Sequence, residues 1–423
     1  MMTSDTNFIE FALGIKDSNL IFRGYFYKFI RLIKYRVYEF TLIYPDNVCP
    51  ECHQRQLVKF GFSEVNTKFT ADDASHPVIL RIHKQRVRCK NCQHTQLAQS
   101  PIVQKYCHIA NKVRNKVIMS LQDDRTLDCI ANDNNISPST VNRYLDQSRA
   151  IAPLIKQELP INMALDEFRG VNRQLHFICI DNDGNHKIQA ILPDRYKRTI
   201  ENYFLSFPLQ ERARVKTISM DLNSYYQEIA RRLFPNAQII IDRFHVVAML
   251  TRAFNQYRAQ VMKRFEKTSR NYRLLKFSWR LYLVSEEKLS NVNEYYDRHI
   301  RQRVTSNERV DLGLQVDERL MADYNVMQSI MTNLSHRDMD GLTDALYPSE
   351  QISPQMTIVI KTLRQNLEYV LNASQFKYSN GAMEGINRMI KQIQRTAFGF
   401  RNFDHMVYRI YYRQMAQKKN QVA

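Results

Sequence analysis

The residues best equipped for chemistry are three carboxylates and four thiols. Asp166 sits in Ala164-Leu-Asp-Glu-Phe168, a run of strand character, and Asp221 closes a second one, Ile218-Ser-Met-Asp221. A carboxylate on a rigid strand is held at fixed separation from one on its neighbour. Hard divalent cations bound through oxygen, with open positions left for phosphate, need that arrangement. Glu384, on a helix that starts after Ser379-Asn-Gly381, is the best third donor. Two Mg2+ (or Mn2+) ions so held would activate an attacking oxygen and stabilise a leaving one during in-line displacement at phosphorus. Most aspartates at strand ends only cap turns, so the assignment rests on the three residues jointly. Glu167, next to Asp166, is a decoy, because strand alternation sends it to the opposite face.

Cys49-Pro-Glu-Cys52 and Cys89-Lys-Asn-Cys92 each put two thiolates on a tight turn, the knuckle geometry that suits tetrahedral zinc. Roughly 36 residues separate the pairs, more than the usual ribbon spacing of about 15–20. The intervening text is itself strand-like, so a zinc ribbon with an enlarged hairpin absorbs it. One zinc bound by four thiolates has no open position and is structural. The alternative is two unrelated pairs of free thiols. Cys107, Cys129 and Cys179 stand singly in apolar contexts and read as small core residues.

These groups have to be positioned by a chain of 423 residues, enough for two or three domains, and its 44% apolar content can bury sizeable cores. Sixty-one Lys and Arg face 42 Asp and Glu, a formal charge of +19. Such an excess opposes compaction unless a polyanion balances it, and nucleic acid is the commonest one. No apolar run is long enough to span a bilayer and the N-terminus has no signal-peptide pattern, so the expected location is cytoplasmic.

Val37–Tyr44 and Val78–Val87 alternate as strands within a zinc-binding domain over residues 1–105. A helical segment follows over 106–150, then a short linker between Pro153 and Pro160. From 160 onward Asn162–Phe168, His176–Ile180 and Lys187–Leu192 read as three strands, the last two joined by the turn signal Asp181-Asn-Asp-Gly184. A helix near Thr199–Phe207, a strand Val215–Met220, a helix Tyr225–Leu233 and an apolar strand Gln238–Ile241 complete an RNase H-like α/β order. The text from Phe244 to Asn372 is helical and basic with no strand candidate, an insertion at about 247–375, and the glutamate helix comes last. The fold class is therefore multidomain α+β, with the catalytic core running over 160–423.

Leu127-Asp-Cys-Ile-Ala131 and Ser137-Pro-Ser-Thr-Val141-Asn-Arg-Tyr-Leu145 form a helix-turn-helix pattern. Ile130, Ala131 and Ile136 fill its interior, and Val141 with Leu145 makes a buried stripe at i, i+4. Ser137 is an N-cap with Pro138 at the first helical position. Exposed Ser139, Thr140, Asn142 and Arg143 would then face a DNA major groove. Any two-helix hairpin gives a similar apolar pattern. The basic charge and the adjacent cysteine pairs favour the DNA reading.

The run Ile218-Ser-Met-Asp-Leu-Asn-Ser-Tyr-Tyr226, with Phe234-Pro-Asn-Ala-Gln238 and Asp242-Arg-Phe-His-Val-Val247, resembles the ISL-three family of bacterial insertion-sequence transposases. So do Ser379-Asn-Gly-Ala-Met-Glu-Gly-Ile-Asn-Arg-Met-Ile-Lys391, continuing to Gly399-Phe-Arg-Asn-Phe403, the two knuckles, and Gly14-Ile-Lys-Asp-Ser-Asn19. The resemblance covers nearly the whole chain. It implies a DDE transposase that acts on transposon ends and target DNA, with Asp166, Asp221 and Glu384 on the acidic positions and an RNase H-like core split by a helical insertion. It also implies a nucleoid-associated bacterial protein. One departure follows Asp166, where Arg169-Gly-Val-Asn-Arg173 replaces the basic stretch common in the family.

Asp242-Arg-Phe-His245 looks like the D-x-x-H signature of several DDE groups. His245 would contact the scissile phosphate or fix the neighbouring carboxylates; the alternative is a capping Asp242 with a half-buried histidine. Lys391 and Arg395, beyond Glu384 on its helix, can reach flanking phosphates. Trp279, interleaved with the insertion's arginines, is either a platform for an unpaired base or a core aromatic. Synapsis of two ends implies a homodimer or higher assembly on double-stranded DNA. The competing reading is a DNA-binding regulator derived from such an enzyme, with an idle acidic site.

Overall fold

The computed structural model describes residues 9, 11–70, 76–147, 158–184 and 186–421. They divide into two compact units, Met1–Leu154 with Lys391–Ala423, and Ile155–Ile390. The linker expected from Pro153 falls largely outside the described residues.

The first unit holds a sheet of β1 (Leu20–Ile30), β2 (Ile33–Leu42), β3 (Leu57–Phe69), β4 (Val78–Cys89) and β5 (Thr95–Leu97). Their order is β1-β2-β4-β3, with β5 alongside β4. Alternation sorts its two faces: Tyr38, Phe40, Leu80 and Ile82 pack into the main core of the unit, and Tyr35, Val37 and Ile79 are buried as a smaller cluster on the other face. Helices α1 (Asn111–Ser120), α2 (Leu127–Asp133) and α3 (Pro138–Gln147) cover one face. Ser137 Oγ accepts the Thr140 N–H at 3.3 Å, and Ile130, Ala131, Ile136, Val141 and Leu145 are buried as the spacing requires.

The second unit is built on β6 (Asn162–Arg169), β7 (Leu175–Asp181), β8 (Ile188–Leu192), α4 (Lys197–Leu205), α5 (Leu209–Ala213), β9 (Thr217–Met220), α6 (Ser224–Leu233) and β10 (Gln238–Ile241). The sheet order is β10-β9-β6-β7-β8. β6, β7 and β8 form an antiparallel meander, and β9 and β10 run parallel to β6. Gly184, with φ of +55°, closes the expected turn between β7 and β8.

The stretch after β10 contains α7 (Arg243–Met262), α8 (Arg270–Lys276), α9 (Ser306–Leu314), α10 (Glu318–His336), α11 (Met339–Ala345), α12 (Pro354–Gln365), α13 (Leu367–Gln375) and α14 (Gly381–Thr396). It is not purely helical: β11 (Tyr295–Asp297) pairs with β12 (Gln302–Val304). Strands of three residues with mostly exposed side chains leave no alternation to read. Asp297 in β11 fixes them through a buried ion pair with Arg309 in α9 (Nε to Oδ2, 2.8 Å). Arg309 also donates to the Leu274 and Phe277 carbonyls at 2.8 and 3.0 Å. Asp297→Ala strands a buried guanidinium and is expected to cost about 3–5 kcal/mol. Urea unfolding should show a lower midpoint at unchanged slope, and an unchanged midpoint would contradict this.

The glutamate helix is not the last. α15 (Phe403–Gln421) follows, and residues 391–423 join the first unit, whereas the sequence reading carried the catalytic domain to 423. Tyr408 and Tyr412 enter the core that Val141 and Leu145 share, and Arg409 donates to the carbonyls of Asp123 and Arg125 at 3.0 and 2.9 Å. No local pattern in the helix reveals this long-range partner. Two of the three single cysteines also differ from expectation. Cys179 is buried, but Cys107 and Cys129 are exposed. Cys129 precedes Ile130 and Ala131, which alone carry the buried face of α2. Among the described residues no helix is long and apolar enough to cross a membrane.

Candidate active site and cysteine centre

Strand register sets the acidic cluster. Asn162, Met163 and Ala164 of β6 pair in parallel with Thr217, Ile218 and Ser219 of β9, an offset of 55 residues that carries Asp166 level with Asp221. The β9–β10 pairing, offset by 21, carries Asp221 level with Asp242. Three aspartates thus stand in a row just past the ends of β9 and β10 and level with the middle of β6. The sequence offers Asp242 as part of the D-x-x-H run or as a helix cap; the two pairing offsets place it in the row.

Asp166 and Asp221 line a cleft of about 380 Å3 with Glu167, Asn223, Tyr226 and His245. His245 Nε2 stands 2.7 Å from Asp221 Oδ1 and 3.9 Å from Asp242 Oδ2. The Asp221 carboxylate lifts the imidazole above its usual pKa. Asp242 is buried at the head of α7 but makes no side-chain cap. Its Oδ1 instead accepts the Asn380 N–H at 3.3 Å, tying the start of α14 to the strand ends. Asn182 adds a second tie, donating to Ser219 Oγ and the Ser379 carbonyl at 3.1 and 3.3 Å.

Glu167, read from alternation as facing away, also lines the cleft, where partners other than those of Asp166 hold it. Arg195 donates to both its oxygens at 2.9 and 2.8 Å, and Tyr226 Oη donates at 3.1 Å. Asp166 faces α14, where Asn387 Nδ2 donates to its Oδ2 at 2.7 Å. Asn387 follows Glu384 by three residues, so both lie on one face of α14. The Glu384 carboxylate is half exposed, 3.5 Å from Arg388, and Asp166, Asp221 and Glu384 are not gathered within 4.8 Å of one another.

Burial pushes the Asp166 carboxyl up to about 6, with the Asp221 charge adding to the rise. A pair of crowded carboxylates fits a hard cation, whose charge removes the penalty. The folded, metal-free protein holds the Asp166 proton more tightly than the unfolded chain, whose value is 3.8. This contribution to stability is therefore complete below pH 3.8 and lost as pH rises through about 6. Asp166→Asn is expected to stabilise the metal-free protein at pH 7.5 by up to about 3 kcal/mol. The measurement is denaturation in excess EDTA, and an equal or lower stability of the variant would contradict it.

The four paired cysteines do converge. Their sulfurs lie within 4.8 Å of one another, with Cys49–Cys92 at 3.5 Å and Cys52–Cys89 at 3.6 Å. A tetrahedron with metal–sulfur bonds of about 2.3 Å has edges close to these separations. The two turns match: the His53 and Gln93 amides donate to the carbonyls of Cys49 and Cys89 at 2.9 and 3.0 Å, and both residues have φ near +60°. The Gln54 amide and the Asn91 side chain pull the Cys52 thiol down, while the crowding of the other three sulfurs pushes Cys92 up.

Of the groove-facing candidates, Ser139 and Arg143 are exposed and Asn142 is half-buried. Thr140 is not exposed. It is 7% accessible, and its hydroxyl lies 3.0 Å from Ser137 Oγ and accepts from Arg143. It shares the inward face with Tyr144, so sequence proximity to Ser139 was misleading. Lys391 and Arg395 are exposed. Trp279 is half-buried, with the Arg280 and Arg258 guanidiniums 4.8 and 5.7 Å from its ring. It lines a cavity of about 660 Å3 with Lys276, Phe277 and Tyr295.

The transposase family model DDE_Tnp_ISL3 matches residues 163–410, more than half of the 423. The chain belongs to the ISL3 family of transposases. It is 22% identical over 342 residues to the transposase for insertion sequence element IS1001 of Bordetella parapertussis, covering 79% of this chain and 80% of that one. A 116-residue stretch is 28% identical to a Lactococcus lactis subsp. lactis protein named ATP-dependent protease, covering 27% of this chain and 37% of that one. This transposase has no G-x-x-x-x-G-K-[ST] phosphate-binding run to accompany that name. A solved Drosophila P element transposase strand transfer complex aligns with 76% of this chain and 94% of its own at 10% identity, with a TM-score of 0.35.

Proposed function

We propose that this transposase binds the terminal inverted repeats of an insertion sequence and cuts and joins DNA at Asp166, Asp221 and Glu384. The observation that carries this is the parallel register that sets Asp166 and Asp221 level at one cleft. The sheet order, an antiparallel meander flanked by two parallel strands, supports an RNase H-like core. Two divalent cations, Mg2+ or Mn2+, would supply activation of the attacking oxygen and stabilisation of the leaving one. Water is the nucleophile for cutting and a DNA 3′-hydroxyl for joining. His245 holds Asp221 in place and keeps a proton at Nε2 beside it. Asn387 orients Asp166 and brings the Glu384 face of α14 to the strand ends. The cysteine centre holds one structural zinc, and Ser139, Asn142 and Arg143 read DNA in a helix-turn-helix with Thr140 inside it. Lys391 and Arg395 supply phosphate contacts, and two ends are held by at least a dimer.

A second reading, a DNA-binding regulator with an idle site, draws on the three acids not being gathered within 4.8 Å of one another and on the contact of Glu384 with Arg388. Incubating the wild-type chain with an end-containing duplex and Mg2+ separates the two. Nicking at the element end supports the enzyme, and binding without nicking supports the regulator.

Asn387 acts through Asp166 and is a positioning residue. Asn387→Ala is expected to lower strand transfer and raise the Mn2+ concentration for half-maximal rate, each by about 10–100-fold. An unchanged Mn2+ dependence would remove it from the site.

A further inference from the structure

The outer half of the β1–β2 hairpin is not used by the cysteine centre and meets the helix pair through Tyr35. From Arg23 to Arg36 it carries five cations, Arg23, Lys28, Arg31, Lys34 and Arg36, and no carboxylate. Its register pairs Tyr25 with Tyr38, Tyr27 with Arg36 and Phe29 with Lys34, so these side chains share one face. That face is open: Tyr25 is 60% and Phe29 69% accessible, and Lys34 Nζ lies 4.4 Å from the centre of the Tyr27 ring. The tip is apolar as well as basic. Leu32 is 97% accessible, between exposed Ile30 and Ile33, and the turn residues Arg31 and Leu32 both have positive φ.

An apolar tip this exposed costs solubility unless something covers it. A second copy of the hairpin would bring the same five cations against themselves with no acid to pair them. A polyanion with a groove meets both demands, because phosphates take the cations while apolar side chains enter between base edges. A contact near the turn fixes where the hairpin points. Tyr35 Oη donates to Asn135 Oδ1 at 3.0 Å, and Asn135 Nδ2 donates back to Tyr35 Oη at 2.7 Å. Asn135 is the turn between α2 and α3, so the hairpin is fastened to the connection of the helix pair.

We propose that the β1–β2 hairpin is a second DNA-gripping element, an arm that lays Lys28, Arg31 and Lys34 along duplex phosphates and sets Phe29 and Leu32 into the groove. It rests on the reading of this chain as a DNA-handling enzyme. The test measures binding of a fluorescent duplex by the full chain as salt is raised. The proteins are the wild type, Arg143→Ala, the triple variant Lys28→Ala/Arg31→Ala/Lys34→Ala and the double variant Phe29→Ser/Leu32→Ser. The triple variant is expected to reduce the slope of log affinity against log salt by about 2–3. The double variant is expected to keep the slope and lose affinity by roughly tenfold. Circular dichroism and light scattering should match the wild type for both, since the replaced side chains are exposed. Wild-type slope and affinity in both variants would overturn the arm and leave the proposed function standing, with Arg143→Ala still weakening binding. A change in oligomeric state with unaltered DNA binding would assign the hairpin to protein contact and also overturn it. No duplex binding by the wild type would overturn the arm and the functional reading together.

Discussion

Asp221→Ala is expected to lose strand cleavage and joining by about three orders of magnitude or more while keeping its affinity for an end-containing duplex. On the proposed mechanism, several kcal/mol of charge stabilisation at the reacting phosphorus would go with the cations the carboxylate would hold, and each 1.36 kcal/mol is about tenfold in rate. Asp221 is central in the row, between Asp166 and Asp242, and is also the partner of His245. Its loss would remove the proposed cation ligand and free the imidazole at once. Gel shift and strand transfer on the same preparation separate the two effects. Activity within tenfold of wild type would remove Asp221 from the chemistry.

Removing the metal from the cysteine centre is the other large effect. Cys49 and Cys89 are fully buried, and the knuckles terminate the connection into β3 and the end of β4. Without the metal, four thiols crowd one another where β3 and β4 begin and end their pairing. Structural zinc contributes apparent binding energies of about 10–16 kcal/mol in small domains, comparable to the whole stability of a typical fold. Cys89→Ala is therefore expected to abolish a stoichiometry of one zinc per chain and to lower the melting temperature by roughly 10 °C or more, at about 2–4 °C per kcal/mol. Elemental analysis with calorimetry checks both. A metal-free wild type that melts like the untreated protein would contradict the assignment.

How much of this was legible in the sequence follows from the range of the interactions. The strands of the second unit and the buried stripe of α3 have local causes, alternation and i, i+4 spacing, and were found where expected. The convergence of the four cysteines was legible because two C-x-x-C pairs of matching spacing point to one cluster. Thr140 was misplaced because a helix face is set by its packing partners, and Tyr144 and Thr140 turn inward together. The β11–β12 hairpin was invisible because it is held by Asp297 and Arg309 rather than by a pattern. α15 joins the first unit through Tyr408, Tyr412 and Arg409, whose partners lie far away in sequence. Asp166 and Asp221 were singled out by strand position, and the β6–β9 register sets them level at one cleft. The contact of Asn387 with Asp166 became visible only once α14 and β6 were side by side.

The central claim is that Asp221 holds a catalytic cation, and exchanging its oxygen ligand for sulfur tests this most directly. Asp221→Cys should be inactive in Mg2+, which binds thiolate poorly, and should regain strand cleavage in the more thiophilic Mn2+. The wild type should work in both ions, and Asp221→Ala in neither. Recovery confined to Mn2+ is the result this account predicts. Equal activity of Asp221→Cys in the two ions, or cleavage by Asp221→Ala in Mg2+, would contradict it.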